Sequence, residues 1–283
     1  MSITRFRPEV WSAQLLVALR KALVFAQANV VNRDYEGEIT AAGDTVRITS
    51  ISDPTIGTYV PNSTVITPEE LTDAQRTLVI DQAKYFAFKV DDIDARQARG
   101  NVMPEAMNRA AYKLRDVVDQ YIAGFYTSVP AASSLGTISV TSTTPTDAYD
   151  KVLVPLKVAL DEANVPTEGR WTVVPPWLHG RLLLDSRFVK ANEAGTDTGL
   201  RNGQVGRAAG FDILASNNVV NTTGDDYAVL AGTSAAISYA EQINKVEAYR
   251  PEASFSDAVK GLHLWGAKVV RPEALATATV SQT

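Results

Sequence analysis

The chain has no cysteine and only two histidines among its 283 residues. The first absence removes disulfides, thiolate metal sites and cysteine nucleophiles, and it leaves the redox compartment open, because a chain without thiols is indifferent to it. The second weighs against zinc and haem chemistry, since only His179 and His263 offer imidazole. A long hydrophobic run is missing as well. No segment approaches the ~18 apolar residues of a membrane span, so no membrane partner is expected. Near the N-terminus Arg5 and Arg7 precede an apolar stretch ending in Ala26-Gln27-Ala28, a pattern close to an export signal, but Glu9, Gln14, Arg20 and Lys21 interrupt it. Its longest unbroken apolar run is Leu15 to Leu19. The stretch is therefore expected to be an amphipathic helix in a protein that stays in the cytoplasm where it is made. An excess of basic charge is also lacking. The net charge of −5 argues against a dedicated nucleic-acid binder, because duplex DNA rewards concentrated Lys and Arg. The charge is uneven, with +3 over residues 1–35 and −8 over the remainder.

What is present is apolar residue content, 45% of the chain, enough for one large domain or two interleaved ones. Gly43 to Val90 has the pattern of one oversized hairpin. Its outgoing arm alternates Val46 and Ile48 against Thr45, Arg47 and Thr49, the two-residue period of a half-covered strand. The return arm, Thr77 to Val90, carries Leu78 and Ile80, then Phe86, Phe88 and Val90 after an irregularity expected near Gln82 to Lys84. At ~3.4 Å per residue that arm reaches about 45 Å. The connection between the arms holds Ile56, Tyr59, Val60, Val65 and Ile66, more apolar side chains than a solvated loop tolerates. An isolated two-stranded hairpin is marginal in water, so the pattern implies cover from other copies of the chain.

Ahead of the hairpin, Pro8 suits a first helical turn, and Trp11, Leu15, Leu19, Ala22 and Ala26 recur every three or four residues. Behind it, Asp91-Asp92-Ile93-Asp94 is expected to cap a short helical turn rather than to bind metal. Pro104 opens a long helix whose apolar face is Met107, Ala111, Leu114, Val118, Tyr121 and Phe125. Residues 130 to 146 form a Ser/Thr/Pro/Gly-rich connector with one short strand, Thr137 to Thr141, and mark a change of domain. Beyond it, helix Asp147 to Ala163 kinked at Pro155, strand Trp171 to Val174, helix Pro176 to Asp185 and strands Phe211 to Ala215 and Tyr227 to Ala231 describe a small α/β unit. Ala236 to Tyr249 fits helix and strand equally. Val259 to Val270 alternates as a strand that Arg271-Pro272 ends.

Few residues suggest chemistry. Five glycines lie between Gly195 and Gly210, but Gly203, Gly206 and Gly210 have the wrong spacing for a dinucleotide fingerprint, and no Gly-Lys-Ser/Thr follows. They also precede a strand, whereas a phosphate cradle follows one. His179 and His263 have no local nucleophile and acid, and both are expected to be structural. No catalysis and no cofactor are expected.

The order of arm helix, giant hairpin, long helix, α/β unit and returning strands resembles the major capsid protein of tailed bacteriophages, an α+β chain with the Hong Kong-type capsid fold. The likeness is carried by Phe6-Arg-Pro-Glu-Val-Trp11, by Gly43-Asp-Thr-Val46 with Phe88-Lys-Val-Asp-Asp-Ile-Asp94, by Gly203-Gln-Val-Gly-Arg-Ala-Ala-Gly-Phe-Asp-Ile-Leu-Ala-Ser-Asn217, and by Gly266-Ala-Lys-Val-Val-Arg-Pro-Glu-Ala274. It is nearest to coat proteins of short-tailed phages that assemble with a separate scaffolding protein. The resemblance implies an N-terminal arm at 1–35, an extended loop at 36–90, a peripheral domain with a spine helix at 91–145 and 236–283, and an axial domain at 146–235. It implies hexamers and pentamers of an icosahedral shell around double-stranded DNA held without sequence-specific binding, in a virion assembled in the host cytoplasm. Scaffolding, portal and decoration proteins are the implied partners beside other copies of the chain. Inter-subunit contacts would fall on Trp11, Leu15 and Leu19 of the arm, Ile56, Tyr59, Val60, Val65 and Ile66 of the loop, and Gly203, Gly206 and Arg207. Some relatives crosslink through a loop lysine, but residues 53–75 hold none, so a non-covalent shell is expected. The alternatives are an encapsulin-type compartment, which shares this fold, and a nucleotide-dependent α/β enzyme using the 195–210 loop.

Overall fold

Three sheets and one long helix organise the residues that the computed structural model describes: 24–34, 45–51, 73–91, 102–141, 146–185, 206–252 and 256–282, with single positions 56, 58, 61, 143 and 144. The largest sheet has the order β4 (Ser134–Ser139), β12 (Leu275–Ser281), β9 (Asp226–Thr233), β5 (Arg170–Val174), β7 (Phe211–Ala215) and β6 (Arg207–Ala208), with β8 (Asn221–Thr223) on β9. Strand β5 is buried along its whole length, as befits a strand covered on both faces. Its Arg170 is buried too, and the charge is met by Asp161 at 2.7 Å and by the carbonyls of Val165 and Pro166 at 2.6 and 2.8 Å. Helices α2 (Val154–Glu162) and α3 (Pro176–Leu184) supply Leu156, Leu160, Leu178 and Leu182 to the main core beside this sheet.

One π-helical turn, Ala148–Leu153, leads into α2. Pro155 has no amide to donate to the Lys151 carbonyl, and the widened turn ahead of it follows from that missing bond. The expected kink at Pro155 thus takes the form of a π-to-α junction.

A second sheet of three antiparallel strands, β10 (Ile237–Tyr249), β11 (Ser256–Val269) and β3 (Gln82–Asp91), packs one face against helix α1 (Val102–Ala123). Met107, Ala111 and Leu114 meet Phe86, Phe88, Val246 and Val259 there. Further along α1, Val118 and Ile122 enter the main core with Trp265 and Tyr239, so the helix, ~33 Å long at 1.5 Å per residue, ties the two sheets together. Ile122 completes the buried stripe. Tyr121 and Phe125, expected on that stripe, are half-buried, and Tyr121 sets its ring edge-on to Phe125 and to Trp265.

The third sheet is the hairpin of β1 (Thr45–Ile51) and β2 (Asp73–Val79). The single return arm expected from Thr77 to Val90 divides here. β2 ends at Val79, β3 begins at Gln82, and β3 leaves the hairpin to pair with β11. The cause lies at the break, where Leu78 and Ile80 drop into a small cluster with Ala240 and Leu264 and swing the chain across the sheet. Phe86 and Phe88 stand on one side of β3 as the alternation predicts, but α1 of the same chain covers them. β10 and β11 stay with α1, whereas β12 runs between β4 and β9 in the large sheet and is buried along nearly its whole length. The polar stretch Asp92–Asp94 lies outside the described residues.

Candidate assembly surfaces

The outer face of the three-stranded sheet is covered at one end and open at the other. At the covered end the β2 segment crosses β11 beside Gly266, where no side chain intervenes. Lys268 Nζ donates to the Thr77 carbonyl at 2.8 Å, and the Arg76 guanidinium donates to the Val270 carbonyl. These contacts fix the root of the hairpin on the sheet.

At the open end a cavity of about 490 Å³ lies among Tyr85, Ala87, Glu247, Tyr249, Lys260 and Leu262. Tyr85 is 81% exposed and Tyr249 45% exposed. Lys260 sits 2.9 Å from Glu247 and 5.4 Å from the Tyr249 ring, so the one charged pair in the trough is internally matched. What remains to offer a partner is aromatic and aliphatic. The sequence carries a signal for this trough in Tyr85, a large aromatic on the strand face opposite Phe86 and Phe88, where alternation calls for a polar residue.

A third feature is the seat of the N-terminal segment. Phe25, Ala26, Val30 and Val31 are buried in the main core. Asn32 bridges to Ser238, with Asn32 N donating to the Ile237 carbonyl at 2.8 Å and Tyr239 N donating to the Asn32 carbonyl at 2.9 Å. Arg33 lies over the Tyr239 ring and pairs with the buried carboxylate of Glu241, which also accepts from the Tyr239 hydroxyl at 2.6 Å. His263, fully buried, is 3.5 Å from Glu241 Oε2, and neither of its ring nitrogens makes a well-formed hydrogen bond. Burial pushes the Glu241 carboxyl up, but His263, the Arg33 guanidinium and the Tyr239 hydroxyl outweigh it and hold the group at about 2. At the other end of the segment, Asp119 of α1 accepts from the amides of Val24 and Phe25 and from the Asn218 side chain. Burial dominates there, and the Asp119 carboxyl is raised to about 6.

Of the residues expected at contacts, Trp11, Leu15, Leu19, Tyr59, Val60, Val65, Ile66 and Gly203 lie outside the described ones. Ile56 is described and 95% exposed. Gly206 and Arg207 are exposed at the start of a short hairpin, where Ala209 and Gly210 at φ 51° and 85° turn β6 into β7. Arg207 stands 3.6 Å from Asp212. This described end of the glycine-rich stretch is a strand-to-strand turn, which is no phosphate cradle. Leu184 at the end of α3 and Val158 on α2 are further exposed apolar residues, on the body of the large sheet. Among the described residues no cluster of acidic and imidazole side chains is arranged to hold a metal, and no helix is long and apolar enough to cross a membrane.

The sequence matches a family model described as phage capsid protein over residues 73–278. A search of curated proteins gives no match. Among solved structures the chain is similar to one from Mycobacterium phage Che8, with 32% identity, 98% of this chain and 94% of that chain covered, and a TM-score of 0.73. It is also similar in fold to the capsid of cyanophage P-SCSP1u, at 15% identity, coverage of 100% and 91%, and a TM-score of 0.70. A virus-like particle from Pyrococcus furiosus matches at 15% identity and a TM-score of 0.58, covering 96% and 98%. That weaker likeness leaves the compartment reading behind the phage one. With the family model covering most of its length, this chain belongs to the phage capsid protein family, and it is a major capsid protein with the Hong Kong-type fold.

Proposed function

We propose that copies of this chain build the hexamers and pentamers of an icosahedral shell that encloses double-stranded DNA without reading its sequence. In this reading residues 1–35 are the arm, 36–90 the extended loop with the β1–β2 hairpin and most of β3, 91–145 and 236–283 the peripheral domain with α1 as its spine, and 146–235 the axial domain. The trough carries the reading. It is an apolar site left open on the outer face of the sheet, beside the root of a hairpin whose apolar connection contains the exposed Ile56. A loop that projects from one copy and a trough that stands open on the next satisfy each other, and burial at ~25 cal/mol per Å² repeated around a shell sums to a stable particle. The acidic balance of the chain suits a container, since a strongly basic lining would grip the packaged DNA.

Assembly in the host cytoplasm with a separate scaffolding protein, a portal and a decoration protein belongs to the same proposal. The test is a double substitution, Tyr85→Ser with Tyr249→Ser. Both side chains face solvent, so circular dichroism of the subunit is expected to be unchanged. By electron microscopy and sedimentation, wild-type chain with its scaffolding protein is expected to form capsomers or closed shells, and the double variant to stay smaller at equal concentration. Equal assembly by the two proteins overturns the role given to the trough.

A further inference from the structure

The N-terminal segment is held by two buried carboxylates with different settings. At its entry, Asp119 Oδ2 accepts from Val24 N at 3.2 Å, Phe25 N and Asn218 also donate to the carboxylate, and Oδ1 has no hydrogen-bond partner among the described residues. At its exit, Glu241 is ion-paired with Arg33 and bonded by Tyr239. Between them Phe25, Ala26, Val30 and Val31 lie in the core. A carboxylate that is 2% exposed and has one unmatched oxygen is poorly solvated as an ion. Lifting the segment removes the cover that Val24 and Phe25 lay over it.

We propose that the seat of residues 24–33 is a proton-linked clamp: Asp119 takes up a proton as the segment closes over it and gives it up as the segment opens, while Glu241 grips the far end as a permanent ion. Acid therefore tightens the clamp, and neutral or alkaline conditions loosen it. The charged group whose field reaches Asp119 is Arg115, one turn earlier on α1. The N-terminal segment presents the Val24 and Phe25 amides, and the connection between β7 and β8 presents Asn218. Glu241 faces Arg33, Tyr239 and His263. The near-complete burial of Asp119 and its unmatched Oδ1 give the direction. The closed segment raises the carboxyl from the ordinary 3.8 to about 6, and opening moves it back toward the ordinary value. Opening thus releases a proton between those values, and the open fraction grows with pH until about 6 and then levels.

Hydrogen exchange on the purified full-length chain tests this, with rates referred to an unstructured peptide at each pH. The reporters are the amides of Val30 and Val31, which donate to the Gln27 carbonyl, and of Asn32, which donates to the Ile237 carbonyl. In wild type their opening is expected to rise about tenfold from pH 5 to pH 7.5. In Asp119→Asn, an isosteric neutral side chain, it is expected to be flat over that range. In Glu241→Gln it is expected to be higher throughout with the tenfold ratio kept, since Glu241 stays ionised across the range. Amides within α2, distant in sequence from the clamp, serve as internal references and are expected to show no slope. A flat wild-type profile, a slope shared equally by α2, or a tenfold ratio that survives Asp119→Asn each overturns the proposal. The wild-type comparison decides even if a variant does not fold.

Discussion

Gly266 is where the hairpin crosses the sheet, and replacing it by alanine is the sharpest way to separate the loop from the body. A Cβ at this position would collide with the Val79 carbonyl oxygen and stand 2.9 Å from Ile80 Cδ1 and 3.1 Å from Ile80 Cα, where carbon atoms prefer ~3.5–4.0 Å. β11 cannot retreat, because β10 and β3 hold both of its edges, so the β2 segment must lift. Overpacking of this kind costs ~1–3 kcal/mol. If Leu78 and Ile80 also leave their cluster, lost burial adds ~1.5–3 kcal/mol for each. The damage is expected to be local. In Gly266→Ala, hydrogen exchange should accelerate in residues 73–80 and leave α1, β5 and β9 protected, while shells fail to close under the electron microscope. Gly261→Ala is the control. Its Cβ would press on the Phe86 ring, which lies against α1 and away from the hairpin, so it is expected to cost ~1–3 kcal/mol with the hairpin intact. If the two variants were equally stable and assembled equally well, the crossing at Gly266 would not be what aims the loop.

Three further outcomes are expected. The two buried carboxylates give stability opposite pH slopes: Asp119, raised from 3.8 to about 6, contributes stability that is present below 3.8 and lost as pH rises through 6, whereas Glu241, lowered from 4.5 to about 2, contributes stability present above 4.5 and lost as pH falls toward 2. Each is worth ~3 kcal/mol at full extent, so denaturant titration of the unassembled subunit should find these contributions largest together near pH 4 to 5, and Asp119→Asn should remove the decline toward neutrality. Arg170→Met leaves the carbonyls of Val165 and Pro166 without their buried donor and is expected to cost at least ~2 kcal/mol by the same titration, against no change if water replaces the guanidinium fully. Mature particles boiled in denaturant are expected to run as a single band on a gel, since residues 53–75 hold no lysine for a loop crosslink, and a ladder of multimers would refute the non-covalent shell.

The parts of the fold legible in the sequence are those where one face is wet. The stripe of α1, the Phe86 and Phe88 row and β7 from Phe211 to Ala215 all show their period, because polar residues mark the other side. Ala236 to Tyr249 was ambiguous for the opposite reason. Ile237, Tyr239, Ala240 and Glu241 of β10 are all buried, with the N-terminal segment against part of this strand and the hairpin cluster reaching Ala240, so alternation disappears. The same two-sided burial hides the placement of β12. The clamp was illegible because its bonds join residues 95 and 208 positions apart, and a buried Asp or Glu looks like any other acid in a sequence. Of the expected contact residues, the described ones, Ile56, Gly206 and Arg207, are exposed. The trough leaves one mark in the sequence, Tyr85, which breaks the polar phase of its strand.

The arrangement of strands also determines which parts of the subunit are able to move. Among the described residues four passages of chain run between the two large sheets: the N-terminal segment, β9 through the turn Ser234–Ala236 into β10, α1 with its exit into β4, and β11 with its exit into β12. Parallel pairing of β4 with β12 pins the last two side by side, and Phe25, Val118, Ile122, Tyr239 and Trp265 fill the space among all four as one continuous core. A hinge between the sheets would have to break that core and the β4–β12 ladder together, which no single inter-subunit contact of ordinary size supplies. Among the described residues the hairpin, by contrast, touches the body through one small cluster and two side-chain bonds at its root. The hairpin is therefore the part of the described chain that can shift without breaking the body, and the Gly266 substitution addresses its root.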